Sequence, residues 1–144
     1  MTTRHQSLAE VCRITDAIEA RRVNNAVQNG NELDMAGWDG VVYVLTVGAT
    51  DTTVAFKVQG TNTSGTGYAD VPGAAATTLT ATDDNKHVAI DLWRPANRYL
   101  RPVVTVGSGT TGADFAVVGI QYRGTGRLPV SPQPLDQLVK VAQG

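Results

Sequence analysis

The sequence predicts an all-β fold, a jelly-roll-like β-sandwich, and three observations carry that expectation. Strand and turn formers dominate, with 19 Val, 18 Thr and 15 Gly against 3 Lys and 3 Glu, so the usual residues of surface helices are scarce. Several segments alternate apolar and polar residues with a period of two, as a strand does when one face lies on a core. Between them lie stretches of Gly, Asn, Asp and Thr that carry turn chemistry. A chain of 144 residues can bury a core of its own as one domain, and its single cysteine, Cys12, makes no intrachain bridge.

The elements follow in order. Ser7-Leu8-Ala9-Glu10 has the S-x-x-E pattern of a capping box, and Leu8, Val11, Cys12 and Ile18 recur at helical spacing, so the local reading of Ser7 to Arg22 is a short amphipathic helix. Val11 to Ile14 reads equally as a strand joining a sheet edge, and both readings stay open. Val23 to Gln28 is a weak strand candidate. Val41 to Val47 is a nearly unbroken apolar run between Asp39-Gly40 and Gly48, which predicts a strand covered on both faces. In Thr53 to Gln59, Val54, Phe56 and Val58 share one face while Ala55, Lys57 and Gln59 share the other. Gly60 to Gly67 is a loop, and Tyr68 to Val71 and Thr77 to Thr80 are weaker strands.

Asp83-Asp84-Asn85-Lys86 predicts a tight turn into His87 to Trp93, where Val88, Ile90 and Leu92 point inward, His87, Asp91 and Trp93 point outward, and Pro95 ends the pairing. Arg98 to Val106 and Phe115 to Tyr122 complete five clear strands, and with the weaker ones the total approaches the eight of a jelly roll. Arg123 to Gly144 carries Pro129, Pro132 and Pro134, then Leu135, Leu138, Val139 and Ala142, which suggests an extended arm ending in a helical turn or two. The expected organisation is an N-terminal arm at 1–29, a β-sandwich at 30–123 and a C-terminal arm at 124–144.

A net charge of -1 and a pI near 6.0, with no run of basic residues, give little attraction to phosphate backbones or anionic lipids, so neither nucleic acid nor membrane is an expected partner. Met1 to Arg22 lacks the apolar block of a leader, and the expectation is a soluble protein made in a cytoplasm. Catalytic or metal chemistry needs converging ligating groups, and the chain offers His5, His87 and scattered aspartates, so no enzyme, metal or cofactor is expected. Gly107-Ser108-Gly109-Thr110-Thr111-Gly112 is a literal GxGxxG. The segment after it reads as a strand where a dinucleotide site needs a helix, which makes it a hairpin loop.

The most distinctive stretch is Trp93-Arg94-Pro95-Ala96-Asn97-Arg98-Tyr99-Leu100-Arg101, with three arginines and two aromatics, residue types enriched at interface hot spots. Trp93, Arg94, Arg98, Tyr99 and Arg101 are therefore candidate protein contacts, set against the plainer reading that the arginines stack on aromatics of their own subunit. Leu8 and Val11 at one end, and Leu135 and Leu138 at the other, are candidate contacts on the arms.

The succession Asp34-Met35-Ala36-Gly37-Trp38-Asp39-Gly40 into Val41 to Val47, the Thr53 to Gly60 strand, Asp70-Val71-Pro72-Gly73, Asp84-Asn85-Lys86, Arg98-Tyr99-Leu100-Arg101-Pro102-Val103-Val104 and Gly112 to Gln121 resembles small structural proteins of tailed bacteriophages, namely capsid decoration (cement) proteins or related head components. The resemblance spans about residues 31–130 and lies in strand and turn pattern, with no catalytic motif. It implies a β-sandwich virion protein, homotrimeric, that binds the major capsid protein on the outside of an icosahedral head and ties capsomers together. The competing expectation is a tail, baseplate or fibre module that recognises a host-surface saccharide on Trp38, Trp93 or Tyr68.

Overall fold

A computed structural model describes residues 7–124 and 135–143 and gives a nearly all-β chain. One helical turn, α1 (Leu8–Val11), leads into β1 (Cys12–Val23), followed by β2 (Ala26–Asn29), β3 (Leu33–Asp34), β4 (Gly40–Thr50), β5 (Val54–Thr61), β6 (Ala69–Ala75), β7 (Lys86–Trp93), β8 (Tyr99–Val106), β9 (Ala113–Tyr122) and β10 (Gln137–Ala142). They form two sheets. One has the order β1-β9-β4-β7-β10, the other β2-β8-β5-β6 with β3 also paired to β8. Among these strands only β5 and β6 are consecutive in sequence and paired as neighbours; the other connections change sheets or strands.

The core lies between the sheets. From β4 come Val41, Tyr43, Leu45 and Val47, from β5 Val54, Phe56 and Val58, from β7 Val88, Ile90 and Leu92, from β8 Leu100, Val104 and Val106, and from β9 Phe115 and Val117. The inward sets expected on β5 and β7 are thus the buried ones. On β4 the expectation of two covered faces fails. Val42 and Val44 alternate with the buried residues and remain half-exposed, and Thr46 is exposed. The apolar run reflects an apolar outer face, not a second layer of protein over it.

Both ends of the chain depart from helical expectation. The capping box forms, with Glu10 accepting the Ser7 N–H at 2.6 Å, but it supports only four helical residues. From Cys12 the chain pairs antiparallel with β9, and Ala17 and Ile18 enter the core. Register shifts between Asp16 and Ile18 and between Ile18 and Arg21 are bulges that break the period of two. The helical turns expected after Pro134 are instead β10, parallel to β7 from Gln137 opposite Val88 to Ala142 opposite Trp93. A short helix is costly to nucleate, whereas an apolar sheet edge offers ladder bonds at once. Residues 12–29 and 137–142 are thus strands of the same two sheets as the middle of the chain. Pro129 and Pro132 lie outside the described residues, as does Pro134.

Pro102 sits inside β8, a central strand, where proline normally costs a ladder bond. On one side of β8, β2 ends opposite Val103 and β3 begins opposite Leu100, so Pro102 faces the gap between them. Its carbonyl accepts the Gly30 N–H at 2.7 Å in that gap. A Cβ on Gly30 would stand 2.5 Å from the Pro102 ring and 2.8 Å from the Ala17 carbonyl, so glycine is what lets the chain pass.

The GxGxxG segment joins β8 in one sheet to β9 in the other, so it is an inter-sheet corner and not the expected hairpin. Asp51 clamps it, accepting the N–H groups of Thr111 at 2.8 Å and Gly112 at 2.9 Å. Those bonds hold the Asp51 carboxyl below the usual carboxylate range. Gly112 has φ +90, and a Cβ there would lie 2.1 Å from the Val23 carbonyl. The glycines serve a packed corner.

Candidate functional site

Two loops meet at one end of the sandwich. After β7, Pro95 stops the ladder and residues 94–98 turn back over the loop 35–39 that follows β3. The Arg94 N–H donates to the Asp39 carbonyl at 2.7 Å, and the Met35 N–H donates to the Arg98 carbonyl at 2.7 Å. Arg98 reaches Asp34 with two parallel bonds of 3.0 Å, a bidentate pair across 64 residues of sequence. This guanidinium, helped by the Ala36 N–H, holds the Asp34 carboxyl down to about 2. The Asn62 side chain accepts the Arg98 N–H at 3.1 Å and joins the β5–β6 loop to the assembly.

Between these loops runs an open groove of about 530 Å³, lined by Met35, Trp38, Asp39, Asn62, Arg94 and Arg98 among others. The cations in and beside it lie over aromatic rings. Arg94 sits 4.6 Å over Trp93, Arg98 5.1 Å over Tyr99, and Arg123 4.9 Å over Trp38. Arg94 holds φ +50, a left-handed conformation that a long side chain adopts only where its surroundings enforce it. Two of these guanidinium groups are already engaged, Arg98 by its Nε and Nη2 with Asp34 and Arg123 by its Nε with the Gly37 carbonyl at 3.0 Å.

The expected contact stretch is therefore divided. Arg94 and Arg98 line the groove, with Trp93 and Tyr99 half-buried beneath them. Trp93 pairs through its backbone with Gly40 and Ala142, and its indole N–H is buried without a partner among the described residues. Arg101 lies elsewhere, on β8 of the β2-β8-β5-β6 sheet, 3.9 Å over the Tyr68 ring and donating to Gln59 at 2.9 and 3.1 Å. Gln59 donates on to Asp70 at 2.9 Å, and Lys57 pairs with the same carboxylate at 3.0 Å. Glu32 accepts from the hydroxyls of Ser64 and Tyr68 and from the Gly65 N–H, which lowers its carboxyl. Partial burial, then the bond to Glu32, pushes the Tyr68 phenol up to about 12.

A third feature is the outer face of the β1-β9-β4-β7-β10 sheet, the larger of the two in residues. Register places Ile14, Ile120 and Val42 side by side, with Val118, Val44, Ala89 and Leu138 in the next row. Ile14 is 59% exposed, and Val42, Val44, Val118, Ile120 and Leu138 are half-exposed. Of the arm candidates, Leu138 belongs to this strip, Val11 is half-buried just before β1, Leu135 is half-buried before β10, and Leu8 is 62% exposed on α1. They do not converge on the groove.

Among the described residues no three or more His, Cys, Asp and Glu side chains come together as a metal would require. Asp83 and Asp84 diverge, the first accepting the Thr80 N–H at 2.7 Å and the second the Thr50 N–H at 2.9 Å. The pairing of Arg98 with Asp34, the Trp38–Arg123 stack and the Glu32 cluster carry no mark in the sequence, because each joins residues far apart along the chain. No protein-family model matches the sequence, and no curated protein is significantly similar to it.

Proposed function

We propose that this chain is a structural virion protein, a capsid decoration or cement subunit that binds the outside of a major capsid shell and stabilises the contacts between capsomers. The observation that carries the reading is the apolar strip on the outer face of the larger sheet. A strip of Ile, Val and Leu left in water is what an assembly subunit offers to a partner. The strand orders β1-β9-β4-β7 and β2-β8-β5-β6 fit the nested double Greek key of a jelly roll, which agrees with the implied family. The exposed Arg94 at the groove supplies a cation for contacts to carboxylates at the rim of such an interface.

The saccharide reading finds less support. A sugar would stack on an open aromatic face, yet Trp38, Trp93 and Tyr68 each carry a guanidinium within 5 Å of the ring centre. Binding there would first have to displace a cation from its ring.

Quantitative mass spectrometry of purified particles tests the proposal. Shell-wide decoration gives copy numbers comparable to those of the capsid subunits, and a handful of copies per particle would refute it. In a rebinding assay on stripped particles, Ile14→Glu is expected to abolish attachment while the isolated protein keeps its melting temperature, because the side chain already stands in water. Undiminished attachment of Ile14→Glu would remove the apolar strip from the interface.

A further inference from the structure

We propose that Asn29 is a self-modifying site: its side-chain amide closes on the Gly30 nitrogen to a cyclic imide when β2 lifts from β8, and hydrolysis of that imide keeps β2 from returning. This stands independently of the particle reading, since it concerns only the chemistry of one peptide bond and its place in the sheet.

Asn29-Gly30 is the one Asn-Gly step in the sequence. Glycine carries no Cβ, so its nitrogen swings against the preceding side-chain carbonyl with the least hindrance. Ring closure needs a Gly30 N–H free to lose its proton, a backbone that turns this nitrogen toward Asn29 Cγ, and water. The folded chain withholds the first two. The Gly30 N–H donates to the Pro102 carbonyl at 2.7 Å, in the gap between β2 and β3. Asn29 is the last residue of β2 and is held in the ladder opposite Val103. Beyond Gly30 the chain is fixed again, the Asn31 N–H donating to the Ala17 carbonyl at 2.8 Å and the Asn31 side chain to the Asp16 carbonyl at 2.9 Å. Water is already at hand, because Asn29 is exposed.

The barrier to reaction is therefore the opening of β2, and little holds that strand. It has four residues, none of them buried, at the edge of its sheet, and Val27 is 55% exposed. A segment with so few buried apolar contacts opens locally at less cost than global unfolding. Its N-terminal fastening is the Asn25 N–H on the Gly107 carbonyl at 3.0 Å, with the Asn24 side chain donating to and accepting from Gly109 at 2.9 Å each way. Once β2 is free, the Gly30 nitrogen loses its proton and bonds to Asn29 Cγ, and the side-chain nitrogen leaves as ammonia with a proton. Water then opens the imide. Attack at Cγ leaves an aspartate, whereas attack at the main-chain carbonyl carbon leaves an isoaspartate, whose main chain runs through Cβ and Cγ and is one atom longer. The junction has no room for it: a single carbon added at Gly30 would stand 2.5 Å from the Pro102 ring and 2.8 Å from the Ala17 carbonyl. The longer chain loses either the Val103 pairing or the Pro102 bond, so a transient opening becomes permanent, as when an unfolded form is modified before it can refold.

Incubating the full, unaltered chain at neutral pH with and without urea tests this. Mass spectrometry of the tryptic peptide Val23–Lys57 reads the amide-to-acid change, and an isoaspartyl methyltransferase assay reads the longer product. Conversion at Asn29 is expected to be at least about tenfold slower in buffer than in urea, and in buffer to keep pace with hydrogen exchange of the Gly30 N–H, because both need the same opening. Equal rates with and without urea would overturn the protection. Asn24→Ala removes both bonds to Gly109 and is expected to speed conversion in buffer by about threefold or more, leaving the rate in urea unchanged. An unaltered rate in buffer would overturn the route through β2. The urea comparison uses the natural chain, so it stands whether or not Asn24→Ala folds. Isoaspartyl chains, separated and returned to buffer, are expected to exchange the amides of residues 26–30 as an unfolded chain does, and full protection there would overturn the block on reclosure.

Discussion

Tyr43→Phe should make the protein more stable. Tyr43 lies at the middle of β4 with no solvent exposure, and its hydroxyl has no hydrogen-bond partner among the described residues. Taking a hydroxyl from water into an apolar interior without a partner costs on the order of 1–3 kcal/mol. Phenylalanine keeps the ring in its place in the core, over Gly119, where a Cβ would stand 3.2 Å from it, so only that penalty is removed. For a chain of this length each kcal/mol moves the melting temperature by roughly 2–4 °C, and a gain of about 1–2 kcal/mol corresponds to about 2–8 °C. Urea denaturation and scanning calorimetry at neutral pH both read it. A second signature follows from ionisation. Burial raises the Tyr43 phenol above its ordinary value of 10.0, so the unfolded chain releases this proton at lower pH than the folded one. Wild-type stability is therefore lost as pH rises past about 10, and the advantage of Tyr43→Phe should widen there. A variant less stable than wild type at neutral pH would mean that the hydroxyl is satisfied, and the argument from an unpaired group would be wrong.

Other perturbations discriminate the layers of the account. Leu45→Asp should prevent folding, because it places an unpaired charge in the inter-sheet core, whereas Val44→Asp on the outer face should leave a soluble, cooperatively melting protein; circular dichroism separates the two. Gly112→Ala should cost at least about 2 kcal/mol in denaturant titration, from a left-handed backbone and a Cβ pressed on the Val23 carbonyl. Asp34→Asn should lower the melting temperature slightly at pH 6. Because the Asp34 carboxyl is held down to about 2, the wild type loses this contribution as pH falls from about 4 through about 2, and the difference between the two proteins should shrink steadily over that range. A difference that does not shrink over that range would point to a role for Asp34 other than its charge.

The central strands were legible in the sequence because each kept a clean alternation over one core face: Val54, Phe56 and Val58 on β5, and Val88, Ile90 and Leu92 on β7, are buried as their spacing implies. The edge strands were obscured for a physical reason. Two bulges destroy the alternation in β1, and Ser7 to Glu10 forms a genuine capping box that points to a helix the chain soon abandons. In β10, Leu135, Leu138, Val139 and Ala142 happen to fall at helical spacing, and only the presence of β7 decides otherwise. At the groove, the stacking of Arg94 on Trp93 and Arg98 on Tyr99 was readable because the partners are neighbours in sequence. The bidentate bond from Arg98 to Asp34 was not, since nothing local marks which of many carboxylates a loop will meet.

The pairing of β1 with β9 ties residues 12–23 to residues 113–122. On a ribosome adding about 5–20 residues per second, the first strand waits on the order of 5–20 s before its partner exists. During that interval Ile14 and Ile18 have no ladder to join and no layer to enter. Folding of this subunit is thereby deferred until translation is nearly finished, and a nascent chain stalled before Ala113 should remain protease-sensitive along its whole emerged length.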